Sequence, residues 1–217
     1  MKNDDQEDGA RRGNALKRKY YEMSFDYRRG GKPGYVLENM EALAFGALVL
    51  RAPPERGFPK FKEPPRFLFD KKRGRLPRDL ELYHDYWLVS DRAKTVLQAV
   101  DSEGFAFQAC EVRLPHGSYS GSQYWLCDVV RVLDAVDEEC SRLEIGIRRD
   151  PKYSDFGKKY YSLVRGAELV FKADVIGAAH IFRMAFLRTA IICDQALKDA
   201  CTAADLAGIK FKDASNL

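Results

Sequence analysis

The sequence of 217 residues predicts an α+β fold, with a mixed, mainly antiparallel sheet and a few short helices. Two observations predict this class. A strand–helix–strand pattern occurs twice, at about 86–107 and about 190–211, and the stretch from Phe105 to Leu133 has the pattern of a long β-hairpin. Helical spacing elsewhere is confined to short stretches, so we expect strands to outnumber helices.

The two copies of this pattern align without a gap when the numbering is shifted by 104 residues. In each copy a short apolar run precedes a residue type that caps helix N-termini, Ser90 in the first and Asp194 in the second. Such a cap satisfies backbone N–H groups in the first turn and contributes about 1 kcal/mol. Five aligned positions are identical in the two copies: Lys94 and Lys198, Ala99 and Ala203, Asp101 and Asp205, Gly104 and Gly208, and Phe107 and Phe211.

The rest of each copy predicts a helix and a second strand. Apolar residues at i, i+3, i+4 and i+7 form one stripe along a helix, and the glycine that follows suits a chain leaving a helix. Alternation then returns, with Phe105 and Phe107 in the first copy and Ile209 and Phe211 in the second, which indicates a strand. The helical stripes consist of Ala93, Val96, Leu97 and Val100, and of Leu197, Ala200, Cys201 and Ala204.

The N-terminal part of the chain is organised differently. We interpret residues 1–19, which are polar and lack periodicity, as a disordered tail, and residues 20–217 as a single α+β domain. Residues 51–78 contain six of the nine prolines and therefore predict a long basic loop, interrupted by one short strand at Arg66–Phe69. Because the phenylalanines of this loop need burial, we expect it to wrap over the main body.

No motif in the sequence indicates catalysis or a cofactor. Gly117–Gly121, at the tip of the predicted hairpin, resembles a nucleophile elbow, but Tyr119 stands where the serine must be. The three histidines, His84, His116 and His180, are far apart, no Cys-x-x-Cys pair occurs, and the glycines match no phosphate-binding pattern. We therefore expect no catalytic, cofactor-binding or metal-binding residues, and no enzymatic activity.

The cysteines and the apolar runs indicate the compartment. An odd number of cysteines at irregular spacing predicts free thiols, several of them buried, in a reducing environment. The sequence has no run of 18 apolar residues and no N-terminal pattern of a secretory signal, so we expect a cytoplasmic protein without membrane contact. The five cysteines are Cys110, Cys127, Cys140, Cys193 and Cys201.

Charge is distributed unevenly along the chain. Residues 51–78 carry a net charge of +7, and residues 79–145 carry a net charge of −8. Blocks of this kind are typical of surfaces that attract a charged partner. We therefore interpret both segments as features of a partner-facing surface rather than of the fold.

Several short motifs between Tyr86 and the C-terminus resemble those of a known bacterial family. They are Tyr86–Ser90 before a helix with Lys94, Ile176-Gly177 followed by His180–Met184, Ile191–Asp194 with Leu197-Lys198, and Ala207–Phe211. Residues 86–217, which contain these motifs, form a family-like core. This core resembles immunity protein family eleven of the bacterial polymorphic toxin systems, formerly a domain of unknown function. Members of that family are encoded beside toxins of contact-dependent and secretion-delivered systems, including type VI secretion.

The resemblance implies a cytoplasmic protein that binds one cognate toxin and neutralises it by direct contact. Many delivered toxins attack nucleic acids and are basic, so we expect a basic, nuclease-type toxin that docks on the acidic segment. Tyr119 is the candidate anchor. Arg183 is expected to bind a carboxylate or a carbonyl group within the fold, with a toxin contact as the alternative. The candidate steering residues are Asp134, Asp137, Glu138 and Glu139.

Two alternatives use the basic segment instead. In the first, the segment caps an acidic toxin. In the second, a different class of function, residues 51–78 bind nucleic acid, because phenylalanines alternate there with basic groups and exposed aromatic rings stack on bases. The candidate residues of this alternative basic face are Lys71, Lys72, Arg73 and Arg75.

Overall fold

The computed structural model describes residues 18–28, 30–44, 49–152 and 155–217, and within these ranges the chain forms fourteen strands and four helices. The strands are β1 (Tyr20–Phe25), β2 (Tyr35–Leu37), β3 (Arg66–Phe69), β4 (Leu80–Tyr83), β5 (Tyr86–Ser90), β6 (Phe105–Ala109), β7 (Glu111–Arg113), β8 (Tyr124–Val129), β9 (Val132–Leu133), β10 (Glu144–Ile147), β11 (Lys159–Ser162), β12 (Ile181–Met184), β13 (Leu187–Asp194) and β14 (Ile209–Asp213). The helices are α1 (Met40–Ala44), α2 (Asp91–Val100), α3 (Ala173–Ile176) and α4 (Gln195–Ala203).

These strands form four sheets rather than one. The two largest have the orders β4-β5-β8-β6 and β14-β1-β13-β12-β9, and the smaller ones have the orders β2-β3-β7 and β10-β11. Every pairing is antiparallel except those of β12 with β9 and of β3 with β7. The predicted α+β class with mainly antiparallel pairing is therefore confirmed.

The repeated pattern corresponds to two units with the same topology. In each unit the two strands of the repeat flank a third, antiparallel strand: β8 lies between β5 and β6, and β1 lies between β13 and β14. The pairing registers of the two units also match. Val89 pairs with Trp125 and Cys193 pairs with Tyr21, where Cys193 lies 104 residues after Val89 and Tyr21 lies 104 residues before Trp125. The shift also relates the pairs Phe107–Cys127 and Phe211–Met23. The N-terminal strand β1 is thus the middle strand of the second unit.

The identical lysines of the repeat make equivalent contacts. Lys94 Nζ lies 3.9 Å from the ring centre of Trp125, and Lys198 Nζ lies 4.3 Å from the ring centre of Tyr21. Both are cation–π contacts between the helix and the middle strand of the unit. Each ring also donates a hydrogen bond to the first residue of the helix, Trp125 to Asp91 and Tyr21 to Gln195. The two lysines are therefore explained by the packing of each helix on its sheet.

Both predicted helix caps are present. Ser90 Oγ accepts a hydrogen bond from Ala93 N at 3.2 Å, and Asp194 Oδ1 accepts one from Leu197 N at 3.1 Å. Helices α2 and α4 begin directly after these residues and pack against each other, with Leu97 and Leu197 fully buried. The two units therefore share one apolar core.

The two repeated glycines lie where the units cross. A Cβ at Gly208 would lie 2.2 Å from the carbonyl oxygen of Leu80, at the start of β4 in the other unit, and its φ is +95°. A Cβ at Gly104 would lie 2.6 Å from Ile181 Cγ2, at the start of β12 in the other unit. Each glycine thus allows a strand of the opposite unit to pass close to the backbone.

Different parts of the chain cover the outer faces of the two units. In the first unit, Tyr86 and Leu88 pack in one apolar cluster with Phe67 and Phe69 of β3, which are 0% and 1% exposed. In the second unit, Phe182 and its neighbours pack against residues between 133 and 187, including the ring of Phe171 at 5.5 Å. The phenylalanines of the basic segment thus cover the first unit.

The hairpin prediction is only partly correct. Strands β6 and β8 pair as expected, but the long strands predicted at 105–114 and 124–133 both divide. Residues Glu111–Arg113 turn away beyond Cys110 and pair with β3, and Val132–Leu133 pairs with β12. At the first break the alternation changes phase, from Phe105 and Phe107 to Cys110 and Val112, whereas the mostly apolar run from Tyr124 to Leu133 gives no comparable signal for the second break.

The predicted tail of residues 1–19 lies outside the described residues up to residue 17. Arg18 is described, and its guanidinium donates to Asp194 Oδ2 at 2.9 Å and to the carbonyl oxygen of Gly177 at 2.8 Å. Contacts with the second unit therefore begin before residue 20, the predicted start of the domain.

Candidate functional site

The basic and acidic segments pair with each other. Arginines of residues 51–78 form ion pairs with carboxylates of residues 79–145, which neutralise each other inside the molecule or at its surface. Much of the charge of the two segments is thus matched within the molecule, and the interpretation of both segments as partner-facing surfaces stays a prediction. Arginine suits such sites because its planar fork binds a carboxylate through two N–H groups. The pairs are Arg56 with Asp128, Arg66 with Glu111, and Arg75 and Arg78 with Glu81.

The most buried of these pairs joins three parts of the chain. Asp128 is 0% exposed and binds both Arg56 and Arg183, with Arg183 Nη2 at 3.0 Å from Oδ1. Arg183 also donates to the carbonyl oxygens of Val129 and Arg188, both at 2.8 Å. The expectation that Arg183 binds a carboxylate or carbonyl group within the fold is confirmed.

Arg75, one of the predicted basic-face residues, belongs to a second internal group. Its guanidinium binds both oxygens of Glu81, and Arg78 Nε binds the same carboxylate at 2.9 Å. Burial raises the pKa of Glu81, and the hydrogen bonds from Arg75 and Arg78 outweigh that effect, so the net shift is downward. Arg75 is therefore held in the fold and does not project towards a partner.

The other three residues of the predicted basic face are exposed. Lys71, Lys72 and Arg73 lie in the turn that follows β3, and Arg73 Nε is 3.5 Å from Asp70 Oδ2. The lysines of residues 51–78 remain at the surface, whereas most arginines enter ion pairs. The exposed basic patch is consequently smaller than the sequence charge suggests.

The predicted acidic residues divide in the same way. Asp134 and Glu139 are exposed. Asp137 Oδ1 accepts hydrogen bonds from the N–H groups of Glu139 and Cys140, and Glu138 binds Lys159 Nζ and the hydroxyl of Tyr161. Glu138 and Glu139 lie in one turn that Asp137 precedes, whereas Asp134 lies before the bridge that Val136 forms with Phe171. Only Asp134 and Glu139 present carboxylates that no described residue binds.

Tyr119, the predicted anchor, is folded onto the protein. Its hydroxyl donates to the carbonyl oxygen of Ser122 at 2.8 Å, and its ring packs edge-on against Phe69 at 5.8 Å. The side chain is half-buried in the cluster that covers the first unit. Only part of this side chain is therefore accessible from solvent.

An exposed apolar surface occurs where the sequence analysis proposed none. Strands β10 and β11 form a two-stranded ribbon, on which Ile145, Ile147 and Phe156 are 46%, 53% and 56% exposed. Lys159 of the ribbon binds Glu138, so the ribbon begins beside the acidic turn. The alternation from Leu143 to Ile147 predicts a strand with one apolar face in the core. Alternation alone does not indicate that this apolar face is exposed to solvent.

Burial makes four of the five thiols unreactive. Cys110, Cys127, Cys193 and Cys201 are buried, and Cys140 is exposed. Burial raises the pKa of Cys110 and of Cys201 to about 12, so these thiols stay protonated at neutral pH.

Among the described residues, no cluster of three His, Cys, Asp or Glu side chains has the arrangement of a metal site. In that same part of the chain, no helix is long and apolar enough to span a membrane.

A family model describes nearly the whole chain. The model of the immunity protein family Imm11 matches residues 19–216. The chain belongs to the Imm11 immunity protein family. The match extends well beyond residues 86–217, on which the motif resemblance rested, and it includes β1, the middle strand of the second unit. No curated protein matches the chain significantly.

Proposed function

We propose that this Imm11 protein binds one cognate toxin in the cytoplasm and neutralises it by direct contact, without catalysing a reaction. The observation that carries the proposal is the family match over residues 19–216. A bound inhibitor needs no reactive group of its own, and the buried arginines and thiols described above are all accounted for by the fold. The toxin of this proposal is delivered by a secretion system such as type VI secretion.

Electrostatic steering is the second part of the proposal. An inhibitor of a lethal toxin must associate quickly, and opposite charge raises the association rate. Six carboxylate residues of the acidic segment remain exposed after its ion pairs have formed, and Asp134 and Glu139 are two of them. A basic toxin, as expected of a nuclease, would be attracted to these carboxylates, of which Glu111 also binds Arg66. The other four residues are Asp91, Glu103, Glu111 and Glu144.

The nucleic-acid alternative receives less support. Its aromatic platform would have to come from the basic segment, but Phe67 and Phe69 are buried and Phe58 stacks on Tyr86 at 4.7 Å. Bases stack only on rings that solvent reaches. Four lysines and a few arginines without an aromatic surface would provide only weak, salt-sensitive binding.

Co-expression tests the proposal. Cells that express the product of the adjacent gene alone are expected to die, and cells that also express this protein are expected to survive, with the two proteins co-purifying. A toxin from an unrelated system is the specificity control, because it should remain lethal. A harmless neighbour, or rescue without a complex, would overturn the proposal. A gel shift with single- and double-stranded DNA and RNA tests the alternative, and we expect none.

A further inference from the structure

The two units differ at their outermost strands. Strand β6 is the edge of the first unit and β14 is the equivalent edge of the second, and among the described residues each pairs with one strand only. Strand β14 presents exposed Lys210 and Lys212. At the aligned positions β6 has Ala106 and Gln108, and none of its five residues is charged. One edge is therefore protected by lysines and the other is not.

The backbone of β6 is oriented for pairing. Cys110 N donates to Tyr124 O, and Val130 N donates to Gly104 O, so the hydrogen-bonded pairs with β8 are those of residues 104, 106, 108 and 110. The N–H and C=O groups of Phe105, Phe107 and Ala109 consequently point away from β8. Among the described residues, only the carbonyl oxygen of Ala109 accepts a hydrogen bond on that side, from Gln108 Nε2 at 3.2 Å.

Edge strands of this kind are uncommon in soluble proteins. An uncharged edge without proline or a bulge is a template on which another chain adds a strand, and edge lysines normally prevent that addition. Strand addition is also an established way of binding a protein, since main-chain hydrogen bonds supply affinity and side-chain pockets supply specificity. The absence of lysines on β6 therefore indicates an edge that accepts a partner.

The charges at the ends of β6 argue against a second copy of this chain as that partner. Glu103 precedes β6 and Glu111 follows it, and both are exposed, but Arg66 Nε already donates to Glu111 at 2.8 Å. An antiparallel pair of β6 strands centred on Phe107 would bring Glu103 of each copy towards Glu111 of the other, which places a carboxylate rather than a base opposite Glu103. A strand with an uncharged centre and a basic residue opposite Glu103 fits better.

We propose that the open edge of β6 receives a strand of the cognate toxin, with an uncharged centre and a basic side chain near Glu103. This inference rests on the proposed function, and it names the contact by which the toxin is held. The edge belongs to the acidic segment of residues 79–145, so the toxin that is steered by this segment is also brought to β6. The added strand would extend the four-stranded sheet of the first unit to five strands.

The test uses the toxin obtained by co-expression, in a catalytically inactive form, and measures its Kd for variants of this protein. Ala109→Pro removes one outward N–H without removing a bond to β8, and edge strands tolerate such a proline. We expect the Kd to rise about tenfold for each interface hydrogen bond lost. Gln108→Lys is the second variant, because it places on β6 the residue that β14 carries, and it should weaken binding similarly.

Matched controls separate binding from folding. Lys212→Gln is the reverse change at the aligned position of β14, and it should leave the Kd unchanged. Ile147→Lys changes the exposed ribbon and should also leave it unchanged. Melting temperatures of all variants are measured alongside. In hydrogen exchange, toxin binding should slow the amides of Phe105, Phe107 and Ala109, which face the edge.

The outcomes are distinguishable. Wild-type protein that does not bind the toxin overturns the proposed function and the strand addition with it. Wild-type binding that Ala109→Pro and Gln108→Lys leave intact overturns the strand addition alone. Loss of affinity on Ile147→Lys, without new protection of the three β6 amides, would place the toxin on the ribbon instead.

Discussion

The two units of this protein share their topology and register, but they are covered by different physical means. The cover of the first unit is tied to it by arginine–carboxylate pairs, such as Arg56 with Asp128 and Arg75 with Glu81. The cover of the second unit has more exposed ion pairs, such as Arg142 with Glu168, together with ring contacts such as that of Phe171 with Phe182. The repeated scaffold thus determines how each unit folds, and the covering segments determine which surface each unit leaves free.

The largest expected loss of stability distinguishes the middle strand of the first unit from that of the second. Asp128→Ala leaves Arg56 and Arg183 buried without their carboxylate, so we expect a loss of about 3–5 kcal/mol in the free energy of unfolding. The aligned residue in the second unit is Ser24, which is half-buried and pairs with no arginine. Ser24→Ala is the control and should cost less than about 0.5 kcal/mol. Urea unfolding measures both, and equal losses would contradict the comparison.

The second prediction concerns pH and the two kinds of cover. The pKa of Glu81 is lowered in the folded protein, so its ion pairs stabilise the fold above the carboxyl's ordinary pKa, and this stability disappears as the pH falls through the folded value. Glu81→Gln should lose about 1.5–3 kcal/mol at pH 7 and depend less on pH below about 4.5.

Phe171→Ala is the matched change in the other cover. It removes apolar contacts only, so it should lower stability by a similar amount at pH 4 and pH 7. Thermal unfolding across this pH range tests both variants. A Glu81→Gln variant with the same pH dependence as the wild type would show that the ion pairs do not stabilise the first cover.

The two glycines at the crossing of the units provide a third comparison. Gly208→Ala places a methyl group against the carbonyl oxygen of Leu80 at a positive φ, and neither can adjust, so we expect a loss of roughly 1–3 kcal/mol. Gly104→Ala meets Cγ2 of the buried Ile181, a side chain that can shift more readily than a backbone carbonyl, and it needs no positive φ, so we expect a smaller loss of roughly 1 kcal/mol. Unfolding midpoints in urea measure the difference. A larger loss of stability for Gly104→Ala would mean that β12 packs more tightly on the first unit than β4 packs on the second.

The smallest expected effect concerns association rather than stability. Asp134→Asn with Glu139→Gln should leave the melting temperature unchanged and slow toxin association about two- to fivefold at low salt. Added salt should slow the wild-type reaction steeply and remove this difference. Lys71→Gln with Lys72→Gln is the control on the basic turn and should not slow association. Stopped-flow fluorescence measures the rates, and a salt-independent wild-type rate would contradict acidic steering.

The sequence by itself determined the local structure of the repeat. The capping residues, the helical stripes, the glycines and the alternating strands all follow from short-range rules, and they lie where the shift of 104 residues places them. The burial of the phenylalanines in the basic segment was also readable, because apolar rings in a proline-rich loop need a cover. These features depend on residues that are neighbours in the chain.

Only the tertiary structure determined which strands pair and which charged side chains remain available to a partner. β1 joins the second unit from more than 160 residues away, and no local pattern marks it as the counterpart of β8. The net charges of +7 and −8 suggested two charged surfaces. Arg56, Arg75 and Arg78 instead bind carboxylates within the fold, so part of that charge is paired. Composition records how many charges a segment has. Their availability to a partner depends on distances that arise only when the chain is folded.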